Sequence, residues 1–490
     1  MSDRKYWPTF APALRSRARY EQLCKLSVTA ERMKQFGVRV DVPRAAEHAR
    51  LRNAAAGRFQ ELFLKGTGLT VADLGEAGAG QTAAVKDWFK MRGAPEVVFD
   101  KRTKKSQFNS AALTIYATDH VGTEFAAPAA ALLGLRKSRT AVKFCEAYMA
   151  IAPRYDSRIH FGFNVLGTKG ERWSSSMSAS WVEDGERVRY KLNAQNVPAK
   201  KLRFAFEGEG ELDLMVSLRD VFIPDPGCVW AKFDYDGAEA RLIAYNTGDE
   251  ALLRWIAQGL DLHVENAKVL FRELRIPAEL KKVLKDAKPG TRDEAYLKAR
   301  EAAKPMIYGA SYQWSSHNPK RPDRYNDLFK QIKQLFPATS ETYLTVLVQR
   351  FFEAHPGIVA WHDRVGQAVE EDGYVELPQT GRQLYLPASN RGKNMGLNFY
   401  MQSGLGAAIN RAIPLIDAGM DWTRGGTALL LMVHDEVDVQ IPENRVEEVC
   451  AMVEAHLSEP MDFGGTMASI PAEGDTGLNW GATAARTKSK

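Results

Sequence analysis

The stretch Leu429–Pro442, LLLMVHDEVDVQIP, decides the fold. An apolar run long enough for a buried strand ends in two adjacent carboxylates, Asp435 and Glu436. A second run, Val437, Val439 and Ile441, alternates directly after them. The pattern predicts two strands joined by a tight acidic turn. Burying an unpaired carboxylate is costly, so these acids need either solvent or a purpose. Asp234 stands in a similar setting. It follows CVWAKF, where Val229, Ala231 and Phe233 alternate with Trp230 and Lys232. If the two strands are neighbours, Asp234 and Asp435 repel and raise each other's pKa. A divalent cation reverses that penalty, and Mg²⁺ takes one or two carboxylates plus substrate phosphates. The plainer alternative is a solvated turn, since turns are rich in Asp.

Outward from this stretch, the 490-residue chain is 45% hydrophobic and 26% charged, an ordinary soluble composition. The net charge of +6 hints at a polyanionic partner. Lys101, Arg102, Lys104 and Lys105 concentrate that charge in DKRTKKSQFN, read as a loop. The four scattered cysteines match no zinc or dithiol spacing and fit a reduced compartment. No apolar stretch of about 20 residues predicts a membrane span. The N-terminal residues lack a secretion-signal pattern, so the expected location is the cytoplasm. Helical patterns cover 20–65 and 110–150, and strands follow from about 158 to 236. Residues 263–370 are mostly helical, GYVELPQTGRQLYLP reads as a hairpin, and 398–418 return to helix. The order predicts a sheet lobe with a long helical insertion.

REAAKPMIYGASYQ (300–313) adds chemistry. Arg300, Lys304, Tyr308 and Tyr312 recur at steps of four and share one helix face. The cations suit a triphosphate and the rings suit stacked bases. A helix with a basic surface end and a buried aromatic end is the rival reading. Pro305 predicts a kink or a different helix start.

Together these segments resemble family A DNA polymerases. DYDGAEAR (234–241) is similar to the first motif of that family, REAAKPMIYGASY to the second and VHDEV to the third. TKGERWSSS, LNAQNVP, RDVFIPDPG, DLH, FFEAHPGIVAWHDRV, TGRQLYLP, NFYMQSGLGAAI and GLNW accompany them in the family's order, so the resemblance runs from roughly 30 to 480.

The resemblance implies an α+β right-hand fold with an antiparallel-sheet palm, a helical fingers insertion and a helical thumb. Its expected parts are an N-terminal segment (1–34), thumb (35–150), first palm segment (151–262), fingers (263–418) and second palm segment (419–490). It implies a phage-type enzyme without a 3′–5′ exonuclease domain. The expected catalytic set is Asp234, Asp435, Glu436 and Lys304, with two Mg²⁺ (or Mn²⁺) on Asp234 and Asp435. Arg300, Lys304, His263, Tyr308 and Glu239 are expected to bind the dNTP, Glu239 by excluding a 2′-hydroxyl. Tyr312, Arg172, Gln195, Asn398, Gln402, His434 and the basic residues Lys101, Arg102, Lys104 and Lys105 are expected on template and primer. Expected partners are primer–template DNA, dNTPs and a separate exonuclease or processivity factor, with the chain a monomer. The rivals are a single-subunit RNA polymerase, disfavoured by Glu239, and an inactive primer–template binder, disfavoured by the intact acids and cations.

The chain departs from the pattern in several places, among them the small Ala238 and Ala240 of the first motif. Asp236-Gly237 replaces Ser-Gln in the first motif, Pro305 interrupts the second, and TKGERWSSS carries an extra residue before Arg172.

Overall fold

The computed structural model describes residues 17–485, apart from 76–79, 100–102, 104, 169, 199–201, 207–209, 215–216, 278–290, 313–325 and 337. Five strands form its central sheet: β1 (Cys228–Tyr235), β2 (Ala428–Val433), β3 (Glu436–Pro442), β4 (Ala472–Gly477) and β5 (Thr483–Ala485). Their order is β2-β3-β1-β4-β5, antiparallel at every step. Val437 lies across from Phe233, and Glu473 across from Asp234. β2 and β3 make the predicted hairpin. Val433 pairs with Glu436, so His434 and Asp435 alone form the turn. His434 adopts φ 59°, a left-handed conformation that costs a non-glycine residue about 1–2 kcal/mol.

Every residue of β2 is buried because the sheet is covered on both faces. Leu429, Met432, Phe233 and Val439 meet the helical core. Trp230, Leu430 and Val433 meet Phe222, Tyr148 and Trp480 on the other side. Two covered faces explain a continuous apolar run where a half-exposed strand would alternate.

Eight helices matter for the site: α1 (Arg17–Phe36), α2 (Val42–Thr67), α3 (Ala126–Ile151), α4 (Ala238–Thr247), α5 (Leu262–Leu270), α6 (Arg292–Ser311), α7 (Asn390–Ala418) and α8 (Val446–Leu457). The helical pattern over 20–65 divides into two helices. Gly37 ends α1 at φ 66°, Val38–Val40 forms a strand, and Asp41 caps α2 ahead of Pro43. That strand pairs with Arg158–Ile159 on one side and Phe222–Ile223 on the other, tying the helical segment to the sheet lobe. Beyond it α2, α3 and the helices Ala83–Met91 and Ser110–Asp119 enclose a core of their own, with Phe59, Phe63, Trp88, Phe89, Leu113 and Leu132.

The predicted hairpin after 370 forms from Tyr374–Leu377 and Arg382–Tyr385. Asp184-Gly185 turns a second hairpin, Ser174–Glu183 with Glu186–Leu192. Of the two expectations for Pro305, the different helix start is not met: α6 runs as one helix from Arg292 to Ser311 with Pro305 inside it. Its inner face buries Ala299, Ala302, Ala303, Met306, Ile307 and Ala310. Met306 and Ile307 alone contribute roughly 1.5–3 kcal/mol each, enough to offset the ~3 kcal/mol cost of an internal proline. Among the described residues no helix is long and apolar enough to cross a membrane.

Candidate active site

Asp234 and Asp435 stand at the same end of adjacent strands, just past the last paired residues, Phe233 and Val437. Burial raises the Asp234 carboxyl above its ordinary range, and Asp435 and then Glu436 push it further. Its side chain still reaches solvent. Asp234 therefore lies close enough to Asp435 and Glu436 at the head of the sheet to feel both charges.

Glu436 has a different environment. Its carboxylate accepts from Trp480 Nε1 at 2.7 Å and pairs with Arg219 Nη1 at 3.0 Å and Lys232 Nζ at 3.1 Å. Behind it the fully buried Asp438 accepts from Trp230 Nε1 at 2.7 Å. Burial first, then Glu436, holds the Asp438 carboxyl well above the usual range. The added acid of the first motif, Asp236, lies beyond the end of β1 and pairs with Arg241 at 2.9 Å. Gly237, at φ 60°, then turns the chain into α4.

α4 carries Glu239 to the same place. Burial raises its carboxyl; Arg172 opposes the rise and Asp435 adds to it. α5 begins at the cap Asp261, whose Oδ1 accepts from the His263 and Val264 N–H groups. His263 Nε2 lies 3.3 Å from Tyr308 Oη, and the two rings meet edge-on at 5.7 Å. Burial lowers the His263 imidazole to about 4, so it is neutral at pH 7. Burial, then Glu239, pushes Tyr308 up to about 12. Tyr312 is raised by burial and then Glu239, with Arg172 opposing.

The two cations of α6 are held within the protein. Arg300 donates from Nη2 at 2.8 Å and Nε at 3.1 Å to Asp261 Oδ2, and pairs with Glu301 at 3.1 Å. Lys304 pairs with Glu301 at 2.8 Å. Burial works to raise the Asp261 carboxyl, but the Arg300 hydrogen bond and charge outweigh it and the net shift is downward. By contrast Arg172 Nε, His263 Nδ1 and Tyr312 Oη are buried without a hydrogen-bond partner among the described residues. Such orphaned groups are rare in folded proteins and call for an explanation.

Asp234, Asp435, Glu239, Arg172, His263, Arg300, Lys304, Tyr308 and Tyr312 thus form one cluster, linked by contact or mutual charge. Four further predicted residues sit around other backbone. Gln195 Nε2 donates to the Trp173 carbonyl at 2.6 Å. Gln402 packs on Gly170, where an added Cβ would lie 2.8 Å from its own. Asn398 is exposed and donates to the Asn394 carbonyl at 3.3 Å. His434 is exposed in the turn. Lys105 is exposed; Lys101, Arg102 and Lys104 lie outside the described residues. Sequence reasoning missed Asp261, Glu301, Arg219 and Glu473. Asp261 had a signal, an acid two places before His263 at a helix start. Arg219 reaches Glu436 from the short 3₁₀ helix Leu218–Val221, and Glu473 lies beside Asp234 only through strand pairing.

A model of DNA polymerase family A matches residues 96–482. The chain belongs to that family. It is 27% identical over 331 residues to the thermostable DNA polymerase I of Thermus filiformis, covering 66% of this chain and 32% of the relative. DNA polymerase I of Pseudomonas aeruginosa is 26% identical over 298 residues, 59% of this chain and 27% of the relative. The chain therefore spans about a third of the length of these family A relatives. Among solved structures, the POL domain of Pol1 from M. smegmatis, in complex with DNA primer–template and dNTP, shares the fold. Its TM-score is 0.68 at 20% identity, covering 98% of this chain and 73% of that one.

Proposed function

We propose that this chain is a template-directed DNA polymerase, adding dNTPs to a primer 3′-hydroxyl without proofreading by these 490 residues. The observation that carries the reading is the meeting of Asp234 and Asp435 beside Glu239, His263 and the outward face of α6. The residues fit a pair of Mg²⁺ ions, or Mn²⁺. Asp234 and Asp435 are both hard oxygen ligands, and the Asp435 charge raises the Asp234 carboxyl, a penalty that a cation between them would relieve. Substrate phosphates and water would complete the coordination. Bound ions supply charge neutralisation at the attacking and leaving oxygens.

The chain's own residues would do the rest. The primer 3′-oxygen attacks the α-phosphorus, its proton passes to solvent, and the bond to the β-phosphate bridge breaks to release pyrophosphate. Arg300 and Lys304 would exchange Asp261 and Glu301 for the triphosphate, keeping these cations paired at every stage. His263, neutral, would donate a hydrogen bond to phosphate and not a charge. Tyr308 would pack on the incoming sugar and base, with Glu239 against the 2′ position. Tyr312 would sit beside the template base, with Arg172, Gln195, Gln402, Asn398 and His434 along the primer end and template. The thumb would be 35–150, the palm 151–262 with 419–490, and the fingers 263–418.

Primer extension on a defined template, with dNTPs or rNTPs and with Mg²⁺ or EDTA, tests the proposal. Extension with dNTPs and Mg²⁺ alone is expected. Asp435→Ala should lose at least about a thousandfold in rate, as removal of a transition-state electrostatic group does, while retaining DNA affinity. Extension at the wild-type rate by Asp435→Ala would overturn it.

A further inference from the structure

We propose that Glu171, the acid added just ahead of Arg172, is a positioning residue that aims Arg172 at Glu239 and Tyr312. The inference rests on the polymerase reading for its role in incorporation, but its geometry is independent of that reading. Glu171 is only 1% exposed and takes φ 58°, left-handed for a non-glycine residue. Such a conformation persists only where its surroundings hold it. Two elements distant in sequence do so. Arg19, from α1, donates from Nη2 to Glu171 Oε1 at 2.5 Å. Arg382, from the hairpin strand Arg382–Tyr385, lies 3.5 Å from the same oxygen. Both arginines are buried too, so the loop cannot shift without leaving charge uncompensated in the interior.

The backbone is fixed as firmly. Thr168 closes the loop: its carbonyl accepts from Glu171 N at 3.2 Å and its Oγ1 from Arg172 N at 3.0 Å. Asn410 on α7 grips both neighbours of Arg172. Its Nδ2 donates to the Glu171 carbonyl at 3.2 Å, and its Oδ1 accepts from Trp173 Nε1 at 2.7 Å. The loop rests on α7 at Gly406. A Cβ there would come within 2.8 Å of the Gly170 oxygen and 3.1 Å of the Glu171 oxygen. Arg172 is the free end of this clamp. Its Nε has no hydrogen-bond partner among the described residues, and its charge acts on Glu239 and Tyr312. Helix α1 and the hairpin thereby set the geometry of a residue in the site, although neither contributes a group to it.

The test is a double-mutant cycle in single-turnover incorporation. Glu171→Gln keeps shape and removes charge. It is expected to slow incorporation about tenfold, a modest share of what misplacement by an ångström costs, with primer–template Kd unchanged. In an Arg172→Ala background the same substitution should cost nothing further, because the residue it serves is gone. Equal losses in both backgrounds, or none in either, would overturn the proposal. Arg19→Gln reaches Glu171 from the other side and leaves Arg382 in place. It should repeat the pattern if Glu171→Gln does not fold. A wild-type protein that incorporates nothing would sink the polymerase reading. Amide exchange at 171–173 would then still decide this one: faster exchange in Glu171→Gln upholds it, and unchanged exchange refutes it.

Discussion

The Asp234 carboxyl is raised by burial and by Asp435, and this links function to stability with a definite sign. Its folded pKa lies above its ordinary 3.8. The fold therefore favours the protonated form, and that favourable contribution is lost as pH rises through the folded value. At pH 7 and without metal, the ionised side chain works against the fold. Asp234→Asn should thus raise the thermal midpoint in EDTA at pH 7 while abolishing incorporation. The gain should be no more than about 1 kcal/mol, because the carboxylate reaches solvent and is screened. It should shrink as pH falls through the raised folded pKa, where the wild-type acid becomes protonated. Mg²⁺ should raise the wild-type midpoint by mass action and leave the Asn variant unmoved. An Asn variant less stable than wild type at pH 7 would mean that the two aspartates do not strain each other. Glu436 invites no such test. With an indole N–H, an arginine and a lysine on it, its charge is already matched.

At the scale of elements, α6 holds the least expected geometry. Pro305 donates no hydrogen bond to the Glu301 carbonyl, yet the helix continues to Ser311. An internal proline costs ~3 kcal/mol locally, whereas replacing it frees the unfolded chain by ~1 kcal/mol. The first effect is larger, so Pro305→Ala should stabilise the protein by roughly 1–2 kcal/mol, measured by urea unfolding. A loss of stability would show that the backbone around Lys304 has adapted fully to the ring. The same helix shows what a sequence can and cannot reveal. Its outward row of Arg300, Lys304, Tyr308 and Tyr312 is legible because helical periodicity repeats every turn. The β2–β3 hairpin is legible because an apolar run, a two-residue turn and an alternating run follow without a gap. Three-dimensional pairings leave no such periodic trace. Nothing within REAAKP indicates that Arg300 will hold Asp261, 39 residues earlier. Nor does VHDEV show that Glu436 will be caught by Arg219 and Trp480, brought together by the short 3₁₀ helix Leu218–Val221, β3 and the turn after β4. The split of 20–65 was signalled by Gly37 and Pro43, but a three-residue strand gains its stability from partners at 158 and 222, far along the chain.

At the scale of the whole molecule, charge placement matters more than the net value of +6. Around the acids, Arg300, Lys304, Arg219 and Lys232 already hold Asp261, Glu301 and Glu436. A cation that trades a carboxylate for a phosphate releases few counterions, so this centre should contribute little to the salt dependence of DNA binding. The basic run 101–105 has no such surplus of acids in its own sequence, where Asp100 alone flanks four cations. Each phosphate contacted there should add about 0.9 to the slope of log K against log salt. Replacing Lys101, Arg102, Lys104 and Lys105 together by alanine should therefore lower that slope by about 2–4, read by fluorescence anisotropy on a primer–template between about 50 and 200 mM salt. Asp435→Ala should leave both the slope and the affinity nearly unchanged, because it removes no cation that could grip a phosphate. If the quadruple variant keeps the wild-type slope and Arg300→Ala loses it, the phosphate grip belongs to the fingers, and the thumb assignment of residues 35–150 falls with it.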